Sequence, residues 1–550
     1  MARPNTCHLP FPLVMALFLL LLRCKCRADH HPAAGDRETL LAIKHDWGNP
    51  PRLASWDPVA TANHCSWKGV KCADAGGVVT ELSLQRLELT GSVPASVCEL
   101  KNLTHLDISY NRLNGTFPAA ALYACSQLRF LDISWNYFNG SLPADMTSLS
   151  PLMEHLDISF NYFDGAFPAA ALYAFSQLRF LDISYNAFTG VLPDDIDRLS
   201  PAMQHLNLAR NGFNDTVPAA VARLPALRSL RLNSNSFTGT YPAAEISELV
   251  ELESLDLSYN AFAPAPVPPE FAKLTKLTSL FMDGMGLTGK IPEAFASLTE
   301  LTVLCMSLNI LTGSIPAWVW QHRKLEHVDL SYNSLSGGLA RNILAVNLAF
   351  LDVSMNHLTG EVPEGFSNLE NLEDIDLSNN QLSGKLPPEL GKHSLLGTIN
   401  VYNNNLSGPL PKTLCTNGKL EDIDVSNNSF TGELPTNLGD CIKLQYLYLD
   451  DNHFSGDFPA KIWSLPNIEE VTIENNRFTG ALPAEVSSSI FQIWMGNNMF
   501  SGSIPTSATR MIWFRADNNR LDGTLPADMS KLSNLEELSV RGNRIIGPIP

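Results

Sequence analysis

One phrase returns about every 24 residues along this 550-residue chain, LxxLxLxxNxLxGxLP, as in Leu103, Leu106, Ile108, Asn111, Leu113, Gly115, Phe117 and Pro118. A unit this short cannot bury its own apolar residues, so copies must stack, each touching only its neighbours. The asparagine marks the register at Asn111, Asn136, Asn161, Asn186, Asn211, Asn235, Asn260, Asn309, Asn333, Asn356, Asn380, Asn404, Asn428, Asn452, Asn476, Asn498, Asn519 and Asn543. Two further units keep the frame with Leu87 and Met285 in that slot, which gives 20 units whose slots lie 21 to 25 residues apart with no long insertion. A frame kept this evenly predicts one extended stack, not several globular cores.

Inside each unit apolar and polar residues alternate with the period of a half-buried strand. Leu106 and Ile108 are expected to point inward, and His105, Asp107, Ser109 and Tyr110 outward. Stacked units then give a parallel sheet on the concave side, at about 4.8 Å per strand. The asparagine amide closes the turn after the strand and repeats as a ladder, with weaker turns expected at Leu87 and Met285. The following glycine uses positive φ, and the proline stops the outer segment from continuing a ladder. The expected fold is thus an α/β solenoid, a leucine-rich-repeat superhelix whose convex side holds 3₁₀ turns and extended pieces. Longer turns are expected at Ala119–Cys125 and Ala169–Phe175.

Residues 1–28 read as a secretory signal, because Arg3 precedes an apolar run, Phe11–Leu22, too short to span a bilayer with ease. The alternative is an uncleaved N-terminal anchor. Residues 36–78 form the expected N-terminal cap and 79–550 the array, which stops inside a repeat phrase and so reads as truncated. Six sequons, at Asn102, Asn114, Asn139, Asn214, Asn405 and Asn427, are candidate glycosylation sites on a secreted chain. Cys98 and Cys125 lie 13 and 11 residues before their asparagines, and Cys415 and Cys441 repeat those offsets. Equal offsets put each pair at matching heights on adjacent coils, within disulfide reach. Cys65 and Cys72 flank the start of the array as a third pair, and Cys305 is left as an unpaired thiol. Such pairing points to an oxidising compartment.

The LxGxIP form of the phrase, the cap sequence CSWKGVKC and the preceding DRETLLAIK…ASW together resemble the extracellular domains of plant leucine-rich-repeat receptor kinases and receptor-like proteins, from Asp36 to Pro550. The resemblance implies a solenoid on the extracellular side of the plasma membrane, or secreted to the cell wall space, that binds a secreted peptide or protein with a leucine-rich-repeat coreceptor. It also implies a transmembrane helix and a Ser/Thr kinase in longer members, neither of which these residues contain. Two departures narrow it: no inserted island of the steroid-binding kind, and no RxR pair of the kind that reads a peptide carboxylate. A secreted inhibitor or scaffold that binds a protein, such as a cell-wall-degrading enzyme, is the alternative.

The candidate binding surface is the outward side of the later strands: Tyr402, Asp424, Tyr446, Tyr448, Asp450, Glu470, Glu474, Trp494, Trp513 and Arg515. Large aromatics there have no core role and suit binding anchors. An earlier stripe, Tyr110, Trp135, Phe160, Tyr185, Tyr259 and Tyr332, precedes the asparagine and reads mainly as packing along the turn. His105, His155, His205 and His327 recur at one slot, but coils two apart stand roughly 10 Å from each other, too far for one metal ion. The aspartate column from Asp107 to Asp424 reads as repeat phrase on solvated strands, without the burial that would separate carboxylate pKa values. The net charge of −18 excludes nucleic acid as a partner. Gly284–Lys290 imitates a phosphate loop, but Ile291 stands where a Ser or Thr would meet magnesium, so no nucleotide is expected. Neither a cofactor nor catalysis within these residues is expected.

Overall fold

The computed structural model describes residues 35–61, 63–73 and 77–549; the expected signal segment, with Cys7, Cys24 and Cys26, lies outside them. Helix α1 (Asp36–Asp46) carries Asp36 and Glu38 at its positive N-terminal end and Lys44 and His45 at the other. Its Leu40 and Ile43 are fully buried over the first unit of the array. Asp36 Oδ2 accepts a hydrogen bond from the Val79 amide at 2.7 Å, which clips the helix to the sheet. Trp56 and Trp67 stack at 6.1 Å and donate their indole N–H groups to the carbonyls of Lys68 and Thr61. Cys65 and Cys72 are joined, with Cα atoms 5.5 Å apart.

Strand β1 (Val70–Cys72) pairs antiparallel with β2 (Val79–Ser83), and from β2 onward every concave strand is parallel to the next in a 21-stranded sheet. Register partners are one unit apart throughout: Leu82 faces Leu106, Leu106 faces Leu131, and near the far end Phe514 faces Leu538. From His105–Asp107 to Trp513–Arg515 the middle residue of each concave three-residue strand is buried, as at Leu106, Leu181, Ile375 and Leu447. Behind the sheet runs a spine of phenylalanines. Phe138 and Phe163 stack at 6.2 Å, and Phe430, Phe454 and Phe478 repeat the arrangement at 5.9 and 5.8 Å. Burying one such ring contributes about 1.5–3 kcal/mol, so the spine is a main source of cohesion between coils.

The residues after the asparagine correct one expectation. Arg112–Gly115, Tyr137–Ser141 and their counterparts form parallel ladders of their own: a two-stranded pair at Ala481–Leu482 and Ser501–Gly502, and two longer ones of 8 and 10 strands. The break between them falls at Ala261–Pro266, where Ala-Pro-Ala-Pro replaces the usual glycine phrase and Pro264 has no N–H to donate. Beyond the proline come 3₁₀ turns such as Ala144–Ser148, with short α-helices at Ala119–Leu122 and Ala169–Leu172. On this convex side Cys98 is joined to Cys125 and Cys415 to Cys441, Cα atoms 4.7 and 5.8 Å apart. Cys305 is buried and unpaired, and burial raises its thiol pKa, so it is held as the inert thiol.

Wherever the slot holds asparagine, the turn is closed in the same way. Asn161 Nδ2 donates to the carbonyls of Ile133, Ile158 and Ser159 at 3.0, 3.2 and 3.0 Å, and Oδ1 accepts from the Phe138 amide at 3.0 Å. Each asparagine therefore ties its own coil to the preceding one through buried backbone groups. Where the slot holds Leu87 or Met285, the next asparagine compensates: Asn111 Oδ1 accepts from both Leu87 and Leu89, and Asn309 Oδ1 from both Met285 and Leu287. Ser109, expected outward, is buried and donates through Oγ to Asp107 at 2.7 Å. The bend turns that position under the strand.

Asn161→Ala strips partners from several buried polar groups, each worth roughly 1–3 kcal/mol when left unpaired. Urea denaturation should show the array destabilised by about 3 kcal/mol or more by that reckoning. An unchanged midpoint would contradict the role given to the ladder.

Candidate functional site

The concave wall carries two unlike regions. In the later coils the outward residues fall into register rows: Asp422, Tyr446, Glu470, Gln492, Trp513 and Glu537 across one row, and Asp424, Tyr448, Thr472, Trp494 and Arg515 across another. Tyr446 and Tyr448 lie parallel at 6.3 Å, and Tyr448 Oη donates to Glu470 Oε2 at 2.8 Å. Arg515 sits 4.6 Å over the Trp494 ring and makes a two-pronged ion pair with Glu537, at 2.7 and 2.9 Å. Thr472 Oγ1 donates to Asp450 at 2.6 Å. The structure thus brings together nine of the ten candidates, with Glu474 beside the rows and near Arg515. Tyr402 lies two coils before Tyr446, 37% exposed, and stands apart from the cluster.

These side chains are half-buried against one another, not freely exposed. Burial and the charges of Asp424 and Glu470 push the Asp422 carboxyl up to about 6. Burial likewise raises Asp424, Asp450 and Glu474. Asp422 Oδ1 and the Trp494 indole N–H are buried with no protein partner. Such a patch holds more negative charge than it can comfortably ionise, and a cation brought against it relieves that repulsion. Asp422, Gln492 and Glu537 share a row with the candidates Tyr446, Glu470 and Trp513 but were not singled out in the sequence, because the register that joins them across coils is a property of the fold.

In the early coils the picture is aromatic. Tyr110, Trp135, Phe160 and Tyr185 stack face to face at 4.8, 3.8 and 3.8 Å, and the guanidinium groups of Arg86 and Arg210 cover the two ends at 4.5 and 4.9 Å. All four ring residues have φ between 51° and 53°. A second stack alternates His105, Phe130, His155 and Phe180 at 3.9, 4.0 and 4.1 Å. The recurring histidines are therefore layered between rings, which serves packing.

Between the stacks run Asp107, Asp132, Asp157 and Asp182, and here the expectation of solvated carboxylates fails. Burial pushes Asp132 up to about 6, and burial with the charges of Asp182 and Asp132 pushes Asp157 up to about 8. Flanking rings exclude the water that a flat strand alone would admit. Each aspartate still accepts the amide of the serine two residues on, as Asp157 does from Ser159 at 2.9 Å, so the column is structural. Among the described residues the one cluster with metal-ligand spacing, His64, Cys65 and Cys72, includes two sulfurs already joined to each other.

Residues 33–73 match the leucine rich repeat N-terminal domain family, residues 201–262 a leucine rich repeat family, and seven further stretches between 102 and 465 single repeats. The chain carries leucine-rich repeats behind a leucine-rich-repeat N-terminal domain. The ectodomain of the Arabidopsis receptor kinase HAESA, solved with an N-terminally extended IDA peptide hormone, has the same fold: TM-score 0.76 and 29% identity over 94% of this chain and 86% of that one. The same receptor with IDA and the co-receptor SERK1 matches at TM-score 0.75 and 29% identity, over 94% and 87%. Receptor-like protein 3 of Arabidopsis thaliana is 36% identical over 17% of this chain and 12% of its own length. Polygalacturonase inhibitor 2 of the same plant is 41% identical over 17% and 29%. The curated relatives are thus matched over a small part of their own length, and this leucine-rich-repeat array resembles the ectodomains of plant receptors.

The carboxylates and histidines give the array a pH dependence. Asp157, protonated in the fold up to about 8 but ionised near 4 when unfolded, contributes stability that is present at low pH and lost as pH rises to 8. His155, pushed down to about 4 by burial, acts oppositely between about 4 and 6.5 and is silent above. The melting temperature should therefore fall from pH 6.5 to 8, and Asp157→Asn, which keeps an acceptor for Ser159, should flatten that fall. A melting temperature that rises over this interval would contradict the assignment.

Proposed function

We propose that the chain is the extracellular recognition module of a plant receptor-like protein or receptor kinase, and that it binds a secreted peptide on the concave face of its later coils. The observation that carries the reading is the Asp422–Glu537 cluster: stacked tyrosines and a tryptophan provide anchors, and crowded, half-buried carboxylates favour a polar or cationic segment. The likeness to a receptor ectodomain solved with a peptide hormone and a co-receptor supports peptide capture and a coreceptor partner. The extracellular setting accords with the three disulfides and with six sequon asparagines that are all exposed. Among the described residues no helix is long and apolar enough to cross a membrane.

A second reading, a secreted binder of a cell-wall-degrading enzyme, is favoured by the polygalacturonase inhibitor match. The cluster separates the two, because a half-buried concave patch suits a narrow peptide better than the convex surface of an enzyme.

Screening secreted peptides against the purified chain should give ligands whose affinity falls roughly tenfold or more in Tyr448→Ala and in Trp494→Ala, as expected for anchor residues. Circular dichroism of both variants should stay that of the parent. Full affinity in both would place the site elsewhere, and capture of a polygalacturonase with no peptide ligand would favour the second reading.

A further inference from the structure

The early coils hold a second surface that the peptide reading does not use. A cleft of about 1040 Å³ runs along the flank of the array, where the concave strands turn into the outer ladders. One wall is the Tyr110–Trp135–Phe160–Tyr185 stack, the other is Tyr137 and Tyr162, and the buried asparagines Asn111, Asn136 and Asn161 form the floor. Tyr137 and Tyr162 are 48% and 61% exposed, with parallel rings 6.2 Å apart.

Three features together say what fits there. Arg86, Arg112 and Arg210 line the cleft, and among the described residues none has a carboxylate within ion-pair distance, in a chain of net charge −18. The one acid at the rim, Glu88, is already paired with Arg52 at 2.7 Å. The occupant is therefore anionic. The main chain of the floor is satisfied: the amides of Asn111, Asn136 and Asn161 donate to Trp135, Phe160 and Tyr185 of the next coil. An extended peptide would find no backbone edge to pair with, whereas rings, phenol hydroxyls and guanidinium groups suit a sugar.

The third feature is strain. Bulky residues with positive φ are strained. In the later coils the same slot holds Asn379, Asn403, Asn427, Asn475, Asn497 and Asn518, which adopt that conformation with less strain and hydrogen-bond along the row. The slot holds Ser234, Tyr259, Leu308, Tyr332 and Met355 in the middle coils and mostly asparagine in the last ones, and only the early coils set four aromatics in an unbroken stack. Stacking offsets the strain but supplies no reason for choosing rings. A ligand supplies one.

We propose that this cleft binds a carboxylate-bearing oligosaccharide, its acid groups on Arg86, Arg112 and Arg210 and its sugar faces against Tyr137 and Tyr162. From Arg86 to Arg210 the cleft spans five coil spacings, roughly 24 Å at about 4.8 Å each, so the ligand is a chain of several sugars.

The test is calorimetry on the secreted, glycosylated chain with three probes: a 1,4-linked oligogalacturonic acid, its fully methyl-esterified form, and polyglutamate of equal charge. The acid oligomer should bind, the ester should bind at least roughly tenfold more weakly, and Arg112→Gln and Arg210→Gln should each reduce affinity about tenfold, the worth of one charge-assisted contact. Tyr162→Ala, a change at an exposed ring, should weaken binding without lowering the melting temperature. Equal binding of acid and ester, or unchanged affinity in both arginine variants, overturns the proposal. Tighter binding of polyglutamate assigns the cleft to an acidic peptide and also overturns it. Asn114 and Asn139 pair in register with Tyr137 and Tyr162. Binding that appears only after enzymatic deglycosylation would assign the cleft to the chain's own glycans and likewise overturn the proposal.

Discussion

The asparagine side chain is what lets this chain become a wall. A parallel stack leaves a set of amides and carbonyls unpaired at every bend, and burying them would cost several times what a single apolar contact returns. Asn161 pairs four of them at once across two coils, and its counterparts repeat that bond pattern along the array. Because the amide reaches back to the preceding coil, it fixes register as well as closing the turn. Everything displayed on the concave side inherits its spacing from this bond. The Leu87 and Met285 turns show how local the requirement is, since one well-placed oxygen from the next coil serves two amides.

The residue before the asparagine shows the same backbone demand met by different chemistry. Positive φ is imposed there by the bend, from Arg86 to Asn518. The early coils meet it with stacked rings under guanidinium ends, the later coils with a row of amides. The two solutions give two surfaces, one aromatic and locally basic, the other acidic with isolated anchors. A solenoid can hold both because neighbouring coils alone share an interface, so a change of surface chemistry in one region does not propagate to the other.

The repeat phrase made the solenoid legible because its periodicity is backbone geometry written out: alternation for the strand, asparagine for the turn, glycine for positive φ. Equal offsets to the asparagine likewise indicated Cys98–Cys125 and Cys415–Cys441, which the structure joins. What stayed hidden depends on neighbours across coils. The outer ladders escaped notice because each is only two to five residues long, and the proline drew attention to where pairing ends. Asp157 looked solvated because its strand is flat; the rings beside it lie in other rows and stack across several coils. Ser109 looked outward because strand alternation was carried two residues past the strand, into the bend. The anchors Tyr448, Trp494 and Arg515 could be seen as outward residues, but not that Glu470 and Glu537 hold them.

The central claim is that the asparagine ladder, bridged by the next asparagine at Leu87 and Met285, holds the coils in one register. Amide hydrogen exchange on the intact chain tests it most directly, at the amides that donate to asparagine side chains: Leu113, Phe138, Phe163, Leu311, Leu382 and Phe454. These amides should exchange as slowly as those of the concave strands along the whole array. Exchange at the rate of exposed loops would mean that the turns are open and that the wall is not one surface.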